Sequence, residues 1–144
     1  MSTHFNYNDG GRSDAGFKGN TGDCVVRAVT IATGFTYDEI YSAMNLFVKD
    51  ERLTKRKTSN SSSRTGVHKD MIKKFLKCLG WTWTPTMFIG QGCKVHLKTD
   101  ELPSGILIVS LSGHITCVID GVINYTYDCS RRGTRCVYGY HSKQ

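Results

Sequence analysis

Hydrophobic positions along this chain follow two periods, and the change between them falls near residue 80. In CVVRAVTIATG the apolar residues Val25, Ala28, Val29 and Ala32 recur at i, i+3, i+4 and i+7. That spacing predicts a buried helix, with Asn20 or Thr21 able to cap its start and Gly34 to end it. Ile40, Met44 and Phe47 form one stripe over about 37–47, with Asp38 and Glu39 favourably placed in the first turn, so a second helix is expected there. Val67, Met71, Phe75 and Leu79 form a third helical face, with Lys69, Lys73 and Lys77 turned elsewhere and Gly80 placed to stop it. Beyond it the pattern shortens to runs rich in β-branched and aromatic residues, around 81–89, 93–97, 106–111, 114–119, 122–127 and 135–140. Asp120-Gly121 between two such runs predicts a hairpin. Helices followed by a meander of strands predict an α+β domain, with N-terminal helices packed on a C-terminal antiparallel sheet.

The intervening polar segments carry their own signals. Residues 1–22 are rich in Gly and poor in large aliphatics, which predicts a loop-rich arm. Residues 49–65 hold one aliphatic side chain, Leu53, in a Lys/Arg/Ser/Thr run, which predicts a basic flexible loop. A length of 144 residues predicts one domain, 1–144. No apolar run is long enough for a transmembrane helix, and the polar N-terminus lacks a signal-peptide pattern, so a cytoplasmic protein with no membrane contact is expected.

Composition changes this picture in two places. The formal charge is +7, and the segment 49–77 alone carries ten basic against three acidic residues, so the rest of the chain is neutral. Such a segment predicts a solvated face, or a surface for an acidic partner. Aromatic residues for stacking on single strands are missing from 48–74, which argues against nucleic acid. Six cysteines without a signal peptide predict reduced thiols, although Cys129 and Cys136 flank a turn and could approach each other. No CxxC or HxxxH pair occurs, and alternation in CKVH puts Cys93 and His96 on opposite faces, so no metal or other cofactor is expected.

Three polar groups stand at positions that local structure would hold. Cys24 opens the first helix, where the positive end of the macrodipole favours thiolate. Asp23 beside it opposes that effect unless paired with Arg27 one turn along. His114 follows Ser112-Gly113 at the start of a strand. A three-residue hairpin loop with a bulge puts Asp128 opposite His114, and a strict two-residue loop puts Tyr127 there. Nucleophile, base and orienter form the general logic of a catalytic triad.

Asn20-Thr21-Gly22-Asp23-Cys24 before an Ala-containing helix, Ser112-Gly113-His114 opening a strand, and an Asp across a hairpin resemble papain-like cysteine peptidases. The Asp-Cys-x-x-x-Ala start is most similar to the bacteriocin-processing type. YNDGGRSDAGFKGNTGDCVVRAVTIATG, LPSGILIVSLSGHITCVIDGVI and YTYDCSRRGTRCVYGY look more closely like a group of small bacteriophage and prophage proteins, over about two thirds of the chain. The resemblance implies a papain-like fold and a cysteine hydrolase acting in a host cytoplasm on a peptide or protein substrate. It implies Cys24 as nucleophile, His114 as general base and Asp128 as orienter. Lys18 stands where the family has its oxyanion glutamine, leaving Asn20 as the implied donor, and Tyr125 stands where the phage group carries an acidic residue. These departures favour an alternative, a catalytically degenerate binding protein of the same fold that blocks a host factor through its basic surface. A nucleic-acid binder is the third reading.

Overall fold

Local chemistry sets the helix boundaries. Thr36 and Glu39 form a reciprocal capping box at the start of α2 (Tyr37–Phe47), and Gly34, in the left-handed region at φ 80°, closes α1 (Cys24–Thr33). The third helix, α3 (Lys69–Cys78), begins two residues later than the apolar stripe predicts, because Val67 and His68 are spent on the approach from Ser61, whose Oγ accepts the His68 amide at 2.8 Å. The computed structural model describes residues 4–13, 23–50, 61–63, 66–88, 90–98, 100–126 and 128–143. The candidate caps Asn20 and Thr21 lie outside them, as do 51–60 and 64–65 of the basic segment. Its described ends are built into the fold: Lys49 sits in a short 3-10 turn, and Ser63 donates two hydrogen bonds, from its amide to Asn45 Oδ1 and from its hydroxyl to the Tyr41 carbonyl.

The strands are β1 (His4–Tyr7), β2 (Thr82–Pro85), β3 (Ile106–Leu111), β4 (His114–Ile119), β5 (Val122–Tyr125) and β6 (Gly139–Ser142). They form one sheet in the order β1-β5-β4-β3-β6-β2, so the fold is α+β with three helices and a six-stranded sheet. The sheet is mixed rather than antiparallel throughout. Part of the expected N-terminal loop arm is β1, which lies parallel to β5 and is fixed there by Asn6 donating to the Asn124 side chain at 2.9 Å. The predicted strand at 93–97 is absent as a ladder; a single bridge joins His96 to Cys136. The sixth strand starts later than the pattern suggests, at Gly139.

Both faces of β3 and β4 are covered. Ile108, Ile115 and Cys117 pack under α1, α2 and α3 with Val29, Met44 and Leu76. Leu107, Val109 and Val118 pack on the other face with Leu97, Ile123 and Val137. Burial on both sides explains why these strands read as continuous apolar runs. Trp81 joins the helix-side core, whereas Trp83 is half-buried on β2. Cys93 and Cys136, expected as reduced thiols, form a disulfide with Cα atoms 5.8 Å apart. It ties the segment before β3 to the segment before β6, and it leaves Cys129 as a buried free thiol instead of a partner for Cys136.

Candidate active site

Cys24 is the first residue of α1, and it contacts both apolar clusters, the helix-side one and the one beyond the sheet. This position arises because α1 packs along β4 with its N-terminus at the end of the sheet where β4 begins. The Ile115 backbone amide faces the thiol there and favours its deprotonated form. His114 emerges from a two-residue hairpin, since Leu111 pairs with His114 across Ser112-Gly113, and Gly113 takes φ 62°. The turn is held from outside by Arg135, which donates to the Ser112 carbonyl at 2.8 Å. Cys24 and His114 line one pocket of about 280 Å³, together with Val67, Lys69, Ile72 and Ser110.

The electrostatics differ from the expectation at Cys24. Burial pushes the thiol up from its ordinary value, and the Asp23 carboxylate adds to this; the Ile115 and Val25 amides pull the other way without reversing it. The helix terminus is therefore outweighed by desolvation, and the resting group is a thiol. Asp23 itself is nearly inaccessible, 2% exposed, and is paired with Arg27 Nε at 3.1 Å and Arg12 Nε at 3.3 Å, while the Tyr37 hydroxyl donates to the same carboxylate. The Asp23–Arg27 pair considered from sequence is thus formed. Because Asp23 serves these partners, its side chain does not cap α1, and the first amides of the helix receive no hydrogen bond from it.

His114 is pushed down to about 4, first by burial and then by the cations Arg135 and Arg27. Its ring meets Tyr125 edge to face, with centroids 4.8 Å apart, and Arg27 lies 5.7 Å from the centre of the Tyr125 ring. The hairpin takes the strict two-residue loop: Asp120 and Gly121, both at positive φ, join Ile119 to its partner Val122. The bulged alternative that would set Asp128 opposite His114 is thereby excluded. Pairing along β5 ends at Tyr125, and Asp128 is exposed, its Oδ1 accepting the Ser130 amide at 2.9 Å. Asp128 does not line the Cys24–His114 pocket. Asn20, the implied oxyanion donor, and Lys18 lie outside the described residues.

Against family models, curated proteins and solved structures, the chain has no match. The site is therefore read from its own geometry.

That geometry includes a feature the sequence did not single out. The Cys24 pocket shares Lys69, Ile72, Ser110 and Ile115 with a larger cleft of about 460 Å³. Trp83 and His141 meet across its wall with ring centroids 4.7 Å apart. Sequence reading finds no partner pattern for His141. The alternation of β2 and β6 could have supplied the signal, since Trp83 and His141 are directly paired residues of those strands.

Proposed function

We propose that the protein is a small cysteine hydrolase of papain-like type that cleaves an amide bond in a peptide or protein. The observation that carries this is the shared pocket of Cys24, at the start of α1, and His114, at the start of β4. In the proposed reaction, His114 accepts the Cys24 proton as Sγ attacks the carbonyl carbon, and negative charge develops on the carbonyl oxygen. The amides at the start of α1, to which Asp23 gives no cap, favour that charge, with Asn20 serving as the further donor in place of the family's glutamine. The imidazolium then returns the proton to the leaving amine as the C–N bond breaks, and a thioester remains. Water attacks the thioester with His114 again taking a proton, which releases the acid and restores the thiol. Tyr125 packs the imidazole in this scheme. Asp128 would have to leave Ser130 to act as orienter. The resemblance to small phage proteins adds a host cytoplasm as the compartment, and the exposed Lys73, Lys74 and Lys77 on α3 offer a first contact for an acidic partner.

The second reading is a binding protein on the same scaffold. The Tyr125 ring beside His114 and the upward shift of the Cys24 thiol favour it. A peptidyl vinyl sulfone distinguishes the two, used in a Cys78→Ser background because Cys78 is exposed and labels nonspecifically. The hydrolase reading expects one covalent adduct, lost in Cys24→Ala and slowed about 10²-fold or more in His114→Ala. Equal labelling with and without Cys24, or no labelling of a folded protein, establishes the binding reading instead.

A further inference from the structure

The larger cleft runs on from the Cys24 pocket through Lys69, Ile72, Ser110 and Ile115. Its far wall is apolar and aromatic, with Met87 and Phe88 exposed at 37% and 51% although both are large hydrophobic side chains. Its near wall is the face of α3 that carries Lys69 and Lys73. These two residues are one helical turn apart, so their side chains project side by side. Both ammonium groups are drawn onto the cleft. Lys69 Nζ lies 4.5 Å from the centre of the Tyr138 ring and 3.5 Å from the Leu111 carbonyl, and Lys73 Nζ lies 4.6 Å from the centre of the Trp83 ring. Among the described residues neither is ion-paired with a carboxylate; Asp23 and Glu101 pair with Arg12, Arg27, His96 and Lys98.

We propose that this cleft receives the part of an acidic peptide substrate that pairs a large aromatic side chain with a carboxylate, the ring against Trp83, Met87 and Phe88 and the carboxylate between Lys69 and Lys73. The assignment rests on the hydrolase reading for its word substrate, because the cleft is continuous with the pocket of Cys24 and His114. Charge complementarity selects the carboxylate: two cations held over aromatic faces at the mouth of an apolar cleft favour an anion beside an apolar group over a neutral or cationic one. Aliphatic Ile72, Met87 and Ile115 among the walls favour a side chain over a stacked base.

Chemical-shift titration of ¹⁵N-labelled Cys24→Ala protein tests this without turnover. The probes are the acetylated amides of Glu-Phe and Phe-Glu, with Gln-Phe, Glu-Ala and adenosine monophosphate as comparisons. Saturable shifts are expected at the Trp83 indole and at the Ser110 and Ile115 amides, with Gln-Phe binding about fivefold more weakly than Glu-Phe. Lys69→Met combined with Lys73→Met should erase that difference while leaving the aromatic contact. Equal binding of Glu-Phe and Gln-Phe, shifts confined to other surfaces, or tighter binding of the nucleotide each overturn the proposal. So does a concentration-dependent dimer that perturbs the same residues without peptide, since a second copy would then be the occupant. Vinyl sulfone labelling of the protein with Cys24 intact is read separately. Peptide binding without labelling keeps the cleft assignment and removes the hydrolase reading, and labelling without carboxylate preference does the reverse.

Discussion

Tyr125 presents its ring to His114 edge to face at 4.8 Å between centroids, on the side of the imidazole that faces β5. A phenol at this place packs the imidazole and supplies no negative charge, while the nearby cations Arg135 and Arg27 act to keep the ring neutral. Replacing Tyr125 by Asp puts a carboxylate beside His114 with Arg27 within reach as a counter-charge. The His114 pKa should rise by about one unit or more, and Cys24 should react faster with electrophiles near neutral pH. Histidine ring shifts followed by NMR across pH provide the measurement; an unmoved His114 titration in a folded Tyr125→Asp protein would contradict the contact described.

The Cys24 thiol lies above its ordinary value of 9.0, chiefly through burial and further through Asp23. Its alkylation by iodoacetamide, read by mass spectrometry in the Cys78→Ser background, should therefore be slow at neutral pH and climb into the alkaline range without a plateau. Asp23→Asn removes one of the upward influences, so the profile should shift to lower pH. A rate already at its plateau at pH 7 would mean a preformed thiolate–imidazolium pair, contrary to this assignment.

His114 and His141 are both pushed from 6.5 to about 4, mainly by burial. Between those values the unfolded chain binds protons that the folded chain does not, so stability falls as pH drops from about 6.5 towards 4 and is unaffected by these groups above 7. The urea midpoint should decline across that window. Replacing both residues by Gln should flatten the decline, and an equally steep curve in the double variant would assign the acid sensitivity elsewhere.

Gly139 sits where the Trp83 ring crosses β6. A Cβ at this position would collide with the indole and would lie 2.8 Å from the Thr84 carbonyl oxygen. Gly139→Ala should therefore displace Trp83 from the cleft wall and destabilise the fold by about 1–3 kcal/mol. Thermal unfolding and the Trp83 indole resonance report the two effects. Trp83→Ala added to Gly139→Ala should recover part of the loss, and simple additivity of the two losses would show that the ring is not the obstacle.

What could be read from sequence follows the range of the interactions involved. Residues 37–47, 106–111 and 114–119 are found as read, because capping, apolar periodicity and hairpin turns act within a few residues. The placement of Cys24 at a helix start and of His114 at a strand start was legible for the same reason. The surroundings of Asp128 were not, since β5 leaves the ladder at Tyr125 and Asp128 accepts the Ser130 amide. Strand β1 was hidden because its support is a parallel pairing with β5 from the far end of the chain. The 93–97 segment has strand-like residues, yet its described pairing with a neighbour is one bridge and a disulfide, both to Cys136. The cleft as a whole is not legible in the sequence because Trp83 and His141 become neighbours only when β2 and β6 pair.

The order of strands carries a consequence for biosynthesis. β6 lies between β3 and β2, so β2 touches the sheet only through a strand that leaves the ribosome long after it. Until β6 emerges, Trp83 has no His141 to meet, and the edge of β3 later covered by β6 stands open. The Cys24–His114 half of the site can assemble from α1, β3 and β4 before that moment, whereas the adjoining cleft cannot. A nascent chain would thus hold the elements that bring Cys24 and His114 together before it holds those that wall the adjoining cleft.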